Sequence, residues 1–504
     1  MQRYIIAHDL GTSGNKATLF STDGALVASR TVGYPTFYQG DNRVEQDAND
    51  WWTAVKDSTT ELMAACQIDP AAVVAISFSG QMMGCLCVDA QGQPLRNSII
   101  WADQRSEEQS AELGDAIPLE EFYRIVGHRN TPSYGIQKLM WIRDHEPETF
   151  ERTHKVLNAK DYVIYKLTGA FVTDHSDANS MGCFDITSRQ WSTRILDAAG
   201  IDVDLFPDAM PSTHVAGTVL PAVCDELGLH PATKVVVGAG DGVTANIGAG
   251  AVEHGQAYCC LGTSAWITAT ADQPVFDPEM RTVTWAHAIP GKYAPNGTMQ
   301  YAGGSLAWSK QALCNAALLG HEPADGVYDR INELIEASPA GANGAIFLPY
   351  LLGERAPRWD VHSRGSLLGI EPNTSAGDIF RAVMEGVIFN LAIGFDILAA
   401  DLPLTELTMV GGGSKSVPWQ HIVADVLGIT IRVPRLLEEA GSMGAAIIAG
   451  VGAGVFEDFS VIDRFIDIET TLGPDAGNAD TYRRARERFD DFYHALRPVY
   501  AQHA

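Results

Sequence analysis

The sequence predicts an α/β protein built from two related domains, each organised around a sheet with parallel strands. Two observations predict this fold class. A strand, a glycine turn and a second strand occur near residue 10 and again near residue 262, and several apolar strands end at glycine turns that lead into helices. The chain has 504 residues, which allows about two to four domains.

The first predicted element is an antiparallel meander over residues 4–32. Residues 4–8 are apolar and β-prone, and the turn DLGTSG at residues 9–14 ends this strand. A second strand covers residues 16–21, a turn covers 22–24, and a third strand covers 25–32.

The same pattern returns in the second half of the chain. Residues 256–261 form a predicted strand, Gly262-Thr263-Ser264 form the turn, and residues 265–270 form the returning strand. The Gly-Thr-Ser triplets at 11–13 and 262–264 are 251 positions apart (262 − 11), about half of the chain. Repetition at this distance indicates two related domains, and we predict their boundary near residue 250.

Helices and short apolar strands alternate after each meander. Residues 50–66 carry apolar side chains at helical spacing, with Asp47 or Asn49 as the predicted N-cap. Predicted strands at 73–78, 234–237 and 406–410 all stop at glycines. In parallel α/β sheets, ligands bind beyond the carboxyl ends of such strands.

Composition excludes several classes of function. The formal net charge of −27 repels polyanions and acidic membrane surfaces, so we expect neither a nucleic acid nor a membrane as partner. The N-terminus lacks the pattern of a signal peptide, and the least polar stretch, at 444–456, is too short to span a bilayer. The eight cysteines form no CxxC pair, which predicts reduced thiols in a cytoplasmic protein.

Short glycine turns are the predicted phosphate sites. The chain has no GxxxxGK[ST] segment and no complete GxGxxG after a strand. The turns at 11–14 and 262–264 would instead present backbone N–H groups, and glycine provides the close approach and positive φ of such a nest. Asp9 would then hold Mg²⁺ through water. The alternative is that each Gly-Thr-Ser triplet only closes a hairpin.

Asp241 is the sharpest catalytic candidate. It follows an apolar strand and lies between Gly240 and Gly242, which leave room for a substrate. Phosphoryl transfer to an alcohol needs a base that accepts the hydroxyl proton, as well as a metal ion. The alternative is an ordinary Asp-Gly turn.

A third cluster would suit a ligand with many hydroxyl groups. Gln81, Met82 and Met83 follow a strand, and Trp101, Asp103, Gln104 and Arg105 supply an aromatic face with donors and acceptors. The alternative is a core tryptophan beside an ion pair.

Taken together, these residues resemble the FGGY family of carbohydrate kinases, over about residues 4–455. The segments that carry the resemblance are 9–16, 261–264, 411–414 and 441–446, the longer patterns at 365–370 with 378–385 and at 138–144, and the stretch 353–357. Gly135 departs from the second long pattern, where Pro, Ser or Thr is usual.

The resemblance implies a two-domain actin-like (ribonuclease H-like) ATPase fold with an interdomain cleft. It implies a sugar-binding domain at residues 1–250, a nucleotide-binding domain at 251–504, and ATP and Mg²⁺ as cosubstrate and cofactor. Asp241 would be the proton acceptor and Asp9 a metal-linked catalytic residue. The predicted substrate-binding residues are Gln81, Met82, Met83, Trp101, Asp103, Arg105 and Asp241. The predicted ATP-binding residues are Gly11, Thr12, Ser13, Lys16, Gly262, Thr263, Ser264, Gly304, Gly412, Gly413 and Ser414.

Within the family, the chain is most similar to members that phosphorylate D-xylulose, which makes this sugar the expected acceptor. Met83 replaces a usual histidine and Ala102 a usual asparagine, and Trp101-Ala102-Asp103 is also similar to gluconate kinases. Gluconate, L-fuculose and ribulose therefore stay open, whereas Gln81-Met82 in place of an Arg-Glu pair disfavours glycerol. A homodimer is a family-level expectation.

Two further readings stay open beside the sugar kinase. One is an ATP-switched filament or chaperone protein with the same two-domain clamp, which would lack the cluster at 81–105. The other is a sugar-binding homologue without activity, which the presence of Asp9 and Asp241 disfavours.

Overall fold

The computed structural model describes residues 2–40, 42–313 and 326–502. Cys314 therefore lies outside the described residues. The strands of the first half are β1 Tyr4–Leu10, β2 Gly14–Ser21, β3 Leu26–Gly33, β4 Phe37–Gln39, β5 Arg43–Gln46, β6 Val73–Gly80, β7 Leu86–Val88, β8 Ser98–Ile99, β9 Lys155–Leu157, β10 Val172–Asp174, β11 Phe184–Asp185, β12 Gln190–Trp191, β13 Asp208–Met210, β14 Val215–Thr218, β15 Lys234–Val236 and β16 Ala239–Gly240. Those of the second half are β17 Ala257–Leu261, β18 Ala265–Ala269, β19 Val283–Ala286, β20 Tyr293–Met299, β21 Ile346–Leu348, β22 Ser366–Leu368, β23 Glu406–Val410, β24 Thr430–Pro434 and β25 Ile468–Leu472.

Helices cover the sheets and connect their parallel strands. The α-helices of the first half are α1 Ala48–Cys66, α2 Glu107–Ala116, α3 Leu119–Val126, α4 Gly135–His145, α5 Pro147–Arg152, α6 Ala159–Thr168, α7 His175–Ser180, α8 Thr193–Ala199, α9 Pro221–Leu227 and α10 Asp241–Gly248. Those described in the second half are α11 Gly303–Leu313, α12 Val327–Glu336, α13 Ala376–Asp401, α14 Val417–Leu427, α15 Ala440–Gly452 and α16 Ala479–Gln502. Short 3-10 helices occupy Pro70–Ala72, Val203–Leu205, Ala342–Gly344, Gly412–Lys415, Phe459–Arg464 and Ala476–Asn478.

The two large sheets share one topology. In the first, the strand order is β14-β15-β6-β1-β2-β3, with β16 also paired to β6. In the second it is β19-β20-β18-β17-β23-β24-β25. Each contains an antiparallel meander, β1-β2-β3 or β17-β18-β20, whose first strand pairs in parallel with β6 or β23. The repeated Gly-Thr-Ser turns therefore close equivalent hairpins in two sheets of the same design.

Local sequence explains how these elements begin. The apolar run of β1 is almost entirely buried, as expected of a strand covered on both faces. Helix α1 begins after Asp47, whose carboxylate accepts a hydrogen bond from the backbone N–H of Asn49 and so caps the helix. Of the two predicted N-caps, the structure uses Asp47.

Both faces of the first sheet are covered, and one cover comes from the second half of the chain. Ile6 and Leu10 belong to a core with α1 and α6, whereas Ile5 and Ala7 pack into a core with Met443 and other residues of α15. The structure thus places α15 of the second half against β1 and β6 of the first.

Glycines allow α10 and α15 to pack at very short distance. A Cβ added at Gly248 would lie 1.8 Å from the carbonyl oxygen of Ala440, and one at Gly444 would lie 2.0 Å from that of Thr244. Any larger side chain there would separate the helices that join the two halves.

Helix α13 is the longest apolar helix in the described part of the chain. It is long and apolar enough to cross a membrane, but 78% of its most apolar 18-residue stretch is buried inside the protein. A core helix passes the same test, so α13 is weak evidence for a membrane span. The stretch at 444–456, which the sequence indicates as the least polar, overlaps α15, a shorter apolar helix.

Candidate active site

Asp9 and Asp241 flank the carboxyl end of one strand. Asp9 lies near the end of β1, opposite Ser79 of β6, and Asp241 is the first residue of α10, directly after Gly240, which pairs with Gly80 of β6. Because β1 and β16 both run parallel to β6, their ends meet at the same edge of the sheet. The fold therefore brings the two predicted catalytic carboxylates together.

The pKa of Asp241 suits a proton acceptor. Desolvation by the surrounding protein, and after it the negative charge of Asp9, raise the pKa of its carboxyl to about 7. The residue nevertheless remains exposed, so a solute can reach it. Burial also raises the pKa of Asp9, against the hydrogen bond of 2.8 Å that the Ser79 hydroxyl donates to its Oδ1.

The second half of the chain faces Asp241 through β17. The Tyr258 hydroxyl donates a hydrogen bond of 2.7 Å to the carbonyl of Gly242, and the indole Nε1 of Trp266 donates to the Tyr258 oxygen at 2.7 Å. Burial raises the pKa of the Cys260 thiol to about 12, with the charge of Asp241 as a further cause. Asp241 therefore lies in a groove between the halves, opposite residues 258–260.

The segment at residues 437–441 crosses this groove on the side of Asp9. A Cβ added at Gly441 would lie 3.0 Å from Oδ2 of Asp9. The ammonium of Lys16 lies 3.1 Å from the carboxylate of Glu439 and donates a hydrogen bond of 2.6 Å to the carbonyl of Glu438. The first hairpin is thus held against the segment that enters α15.

The same segment connects to the other glycine turns. The backbone N–H of Gly411 donates to the carbonyl of Leu437 at 3.2 Å, and a Cβ at Gly411 would lie 2.9 Å from the carbonyl of Leu261. The N–H of Gly303 donates to the carbonyl of Gly262 at 2.9 Å. The two predicted phosphate turns, at 11–14 and 262–264, and the predicted ATP-binding turn at 411–414 therefore belong to one connected region, and the three are called the glycine turns below.

Open space, more than backbone conformation, explains several of these glycines. Nothing lies within 4 Å of a Cβ built at Gly412 or Gly242, and the nearest atoms to Gly11 and Gly262 are 3.7 and 3.6 Å away. The expected positive φ is absent from Gly11 and Gly262 and occurs only at Gly411, with φ +87°. A Cβ at these positions would fill space beside the backbone, which fits a cradle for phosphate groups.

A hydrogen-bond network joins the first glycine turn to the predicted sugar cluster. The indole Nε1 of Trp101 donates to Oγ1 of Thr12 at 2.9 Å. The amide of Gln46 donates to the carbonyl of Thr12 at 2.6 Å, and the amide of Gln81 donates to Oε1 of Gln46 at 2.8 Å. Since Thr12 Oγ1 accepts from Trp101, its own proton is available for a phosphate oxygen.

Met82 and Met83 lie beside the edge of the first sheet at which Asp9 and Asp241 meet. The side chain of Met82 is buried and would be 2.6 Å from a Cβ at Gly240. Met83 adopts a left-handed backbone conformation, with φ +61°, and its N–H donates to Ser180 Oγ at 3.0 Å. The Lys138 ammonium donates to the carbonyl of Met83 at 2.7 Å, so this loop has a fixed backbone.

Asp103 and Arg105 form a buried ion pair. The Arg105 guanidinium lies 2.7 Å from Asp103 and 2.8 Å from Glu45, and it stacks over the ring of Trp141 at 4.9 Å. Asp103 also accepts from the backbone N–H of Val44. Their polar atoms are already paired, so the contacts favour the alternative of a structural ion pair over direct contact with a ligand.

Three predicted ATP-binding residues are likewise engaged by protein. Lys16 is paired with Glu439, and the buried hydroxyl of Ser414 donates to the carbonyl of Val410 at 2.8 Å. The N–H of Gly304 donates to the carbonyl of Thr263 at 3.1 Å. Gly304 and Ser414 thus shape the glycine turns. Ser13 and Thr263 are exposed, and Gly413 packs against Leu261 and Trp419.

The sequence did not indicate three polar residues that form hydrogen bonds with the backbone or side chains of the site. Gln46 and Ser79 contact the first glycine turn and Asp9, and Ser176 accepts a hydrogen bond of 2.9 Å from the N–H of Gly240. All three are polar residues in short or apolar segments, with no spacing that distinguishes them. Their role follows only from the way the chain folds.

Metal binding by side chains alone is not supported in the described residues. They contain no group of three or more His, Cys, Asp or Glu side chains that could hold a metal ion. Asp9 and Asp241 supply two carboxylates, which matches the way Mg²⁺ binds one or two carboxylates together with substrate phosphates and waters.

A large cavity lies away from this groove. It has a volume of about 1540 Å³ and lies between α13 and α16, beside residues 276–281 and 357–359. None of the predicted site residues lines it. The chemistry, and not the size of the cavity, therefore identifies the candidate site.

Comparisons with known proteins identify the family of the chain. The N-terminal domain of the FGGY family of carbohydrate kinases matches residues 4–248, and the C-terminal domain matches residues 257–453. The chain is 31% identical over 494 residues to "Xylulose kinase" of Bacillus subtilis strain 168, covering 97% of both chains. It is 29% identical over 509 residues to "Gluconokinase" of Bacillus licheniformis, covering 100% of this chain and 98% of the relative. The crystal structure of gluconate kinase from Lactobacillus acidophilus superposes with a TM-score of 0.93 at 28% identity and full coverage of both chains.

Proposed function

This chain belongs to the FGGY family of carbohydrate kinases, and on that premise we propose that it transfers the γ-phosphate of ATP to the C5 hydroxyl of D-xylulose. The products are D-xylulose 5-phosphate and ADP. The observation that carries the chemistry is an accessible carboxyl at Asp241, with a pKa raised to about 7, in a groove beside Asp9 and the glycine turns. Family membership favours a sugar kinase over an ATP-switched filament or chaperone protein.

Asp241 acts as the general base of the transfer. As the sugar oxygen forms its bond to the γ-phosphorus, the hydroxyl proton moves to the Asp241 carboxylate. The bond between the γ-phosphorus and the oxygen that bridges it to the β-phosphate breaks, and ADP leaves with that oxygen. A carboxyl with a pKa near 7 is a stronger base than an ordinary aspartate, yet it is substantially ionised at neutral pH.

The glycine turns hold the nucleotide. Gly412 and Gly262 leave space beside their backbones for phosphate oxygens, and Thr12 offers a hydroxyl proton while Trp101 holds its oxygen. Because Trp101 also belongs to the sugar cluster, this hydrogen bond keeps the first turn and the sugar side in a fixed relation.

Asp9 is the residue that would hold Mg²⁺, through water. Its Oδ1 accepts from Ser79, which orients the carboxylate near Asp241 and the first glycine turn. When bound, the ion would neutralise charge on the phosphate oxygens. Ser79 and the first hairpin keep the Asp9 carboxylate in one orientation, which prepares the site before the ion arrives.

The sugar would lie against Gln81, Met82, Met83 and Trp101. The Gln81 Oε1 is buried and has no hydrogen-bond partner among the residues that the structure describes, so a sugar hydroxyl or a water is its natural donor. Asp103 and Arg105 then stabilise the loop behind the pocket. D-Gluconate is the second candidate acceptor, because gluconate kinases match the chain about as well as xylulose kinases do.

We further propose that residues 1–250 bind the sugar and residues 251–504 the nucleotide. Helix α15 belongs to the second half of the sequence but packs against the first sheet. The proposed division therefore describes which ligand each half binds, and the two halves are not separate in space. A homodimer remains a prediction from the family resemblance, and a cytoplasmic location remains a prediction from the cysteine pattern.

A coupled assay of ADP formation with D-xylulose, L-xylulose, D-ribulose, D-gluconate, L-fuculose and glycerol tests the proposal. We expect the highest kcat/KM with D-xylulose. A higher kcat/KM with D-gluconate would overturn the choice of sugar but not of reaction, whereas no ADP with any sugar would overturn both. Met83→His restores the histidine usual in relatives that phosphorylate xylulose and should raise kcat/KM for D-xylulose relative to D-gluconate.

A further inference from the structure

A cluster of four ionisable side chains is buried beneath the edge of the first sheet at which Asp9 and Asp241 meet. The Lys160 ammonium is 2.7 Å from Asp161, 2.9 Å from Asp174 and 3.1 Å from Asp177. All four residues are at most 1% exposed. Taking several charges out of water is costly, and sequence reasoning had assigned none of these residues a role.

The cluster lies directly under the strand ends that carry the active site. A Cβ added at Gly80 would be 3.1 Å from Cβ of Lys160. Gly80 ends β6 and pairs with Gly240, the residue before Asp241. The stem of Lys160 therefore supports the strand between Asp9 and Asp241.

Lys160 keeps Asp174 ionised. Burial favours the protonated acid, but the charge of Lys160 and the hydrogen bonds from Ser176 outweigh it and lower the pKa of Asp174. Burial raises the pKa of Asp177 well above its usual range, although its Oδ2 lies 3.1 Å from the Lys160 ammonium. Asp174 is thus an ionised carboxylate, and it accepts hydrogen bonds from the hydroxyls of Ser176 and Ser212.

Ser176 connects Asp174 to the catalytic residue. Its hydroxyl donates to Oδ2 of Asp174 at 2.6 Å, which turns the hydroxyl lone pairs outward. The N–H of Gly240 then donates to Ser176 Oγ at 2.9 Å. Gly240 is also packed against Met82, where a Cβ would lie 2.6 Å from the sulfur. One hydrogen bond and one close contact thus fix the peptide before Asp241.

We propose that Ser176 is a positioning residue, held by the Lys160–Asp174 pair, that fixes Gly240 and so orients the Asp241 carboxylate toward the sugar hydroxyl. The inference rests on the proposed role of Asp241 as proton acceptor. The charged or titratable groups that face Asp241 are Asp9 from β1 and Tyr258 and Cys260 from β17, and Ser176 contacts none of them in the described structure.

Ser212 provides a matched control. Its hydroxyl donates to the same Oδ2 of Asp174 at 2.8 Å, and its side chain is buried as that of Ser176 is. It makes no hydrogen bond with Gly240 through that hydroxyl. Ser176→Ala and Ser212→Ala each remove one donor from Asp174, but only the first releases the peptide before the base.

The experiment measures kcat, both KM values, the pH dependence of kcat/KM and thermal unfolding for Ser176→Ala, Ser212→Ala and Asp241→Asn. We expect Ser176→Ala to lower kcat about 10-fold to 100-fold while the KM for ATP changes less than about twofold. Ser212→Ala should keep kcat within about twofold and keep the same pH profile.

The outcomes separate the two proposals. A wild-type rate in Asp241→Asn overturns the assignment of the base. An inactive Asp241→Asn together with a normal Ser176→Ala, or with equal losses in the two serine variants, overturns the positioning role alone. Should Ser176→Ala fail to fold, Ser176→Cys keeps a donor but is a weaker acceptor. It should then show an intermediate loss of kcat, and an unchanged kcat would refute the inference.

Discussion

The pH dependence of the reaction tests the central assignment most directly. The pKa of Asp241 is raised from 3.8 to about 7, first by desolvation and then by the charge of Asp9. A base with that pKa is ionised in about one molecule in eleven at pH 6 and in about ten in eleven at pH 8. Because only the ionised form accepts the sugar proton, kcat/KM for D-xylulose should rise about tenfold between these pH values.

The assay is coupled ADP formation at saturating ATP and low D-xylulose, from pH 5.5 to 8.5. An aspartate with the ordinary pKa would be about 98% ionised or more throughout this range, and kcat/KM would be nearly flat. A flat profile would therefore refute the reasoning that the groove desolvates Asp241.

Glu354 provides a control for this profile. Burial raises its pKa to about 7 as well, and its carboxylate accepts from the backbone N–H groups of Gln300 and Arg355. It contacts none of the glycine turns through these bonds. Glu354→Gln should keep the tenfold rise, and loss of the rise in this variant would assign the titration to Glu354 and not to Asp241.

Four substitutions extend the test. Asp241→Asn should lower kcat by about 10²–10⁴ while ATP still binds. It should also raise Tm in a thermal melt at pH 7. The reason is that a carboxyl whose pKa is higher in the folded than in the unfolded chain destabilises the fold at every pH above its unfolded pKa. Trp101→Phe removes the donor to Thr12 Oγ1 and should lower kcat/KM about tenfold in the ADP assay; an unchanged value would remove the link between sugar side and phosphate turn. Gly412→Ala and Gly413→Ala form a pair: Gly412 faces open space, whereas a Cβ at Gly413 would lie 2.6 Å from Leu261 and Trp419. Gly412→Ala should raise the KM for ATP with little change in Tm. Gly413→Ala should lower the free energy of unfolding by about 1–3 kcal/mol in a denaturant titration. The reverse pattern would contradict the proposal that the glycine turns cradle the phosphates.

Local sequence predicted the elements and the two-fold repetition of the fold. The strands at β1, β6, β17 and β23 follow from apolar runs that stop at glycines, and the equivalent hairpins follow from two Gly-Thr-Ser turns. Such signals are local, because burial pattern and turn chemistry act within a few residues. The sequence also singled out Asp9 and Asp241 for the same reason, since each follows a strand at a glycine turn.

Only the tertiary structure decided which polar groups face the groove. Arg105 and Lys16 were expected to bind ligands, but each forms an ion pair with a carboxylate that is distant in the sequence. Arg105 pairs with Glu45, and Lys16 pairs with Glu439. Ser176 carries no sequence signal, and it reaches Gly240 only because α7 packs beside β16. A charge or hydroxyl pairs with whatever the folded chain brings within about 3 Å, and that choice depends on contacts between residues far apart in the sequence.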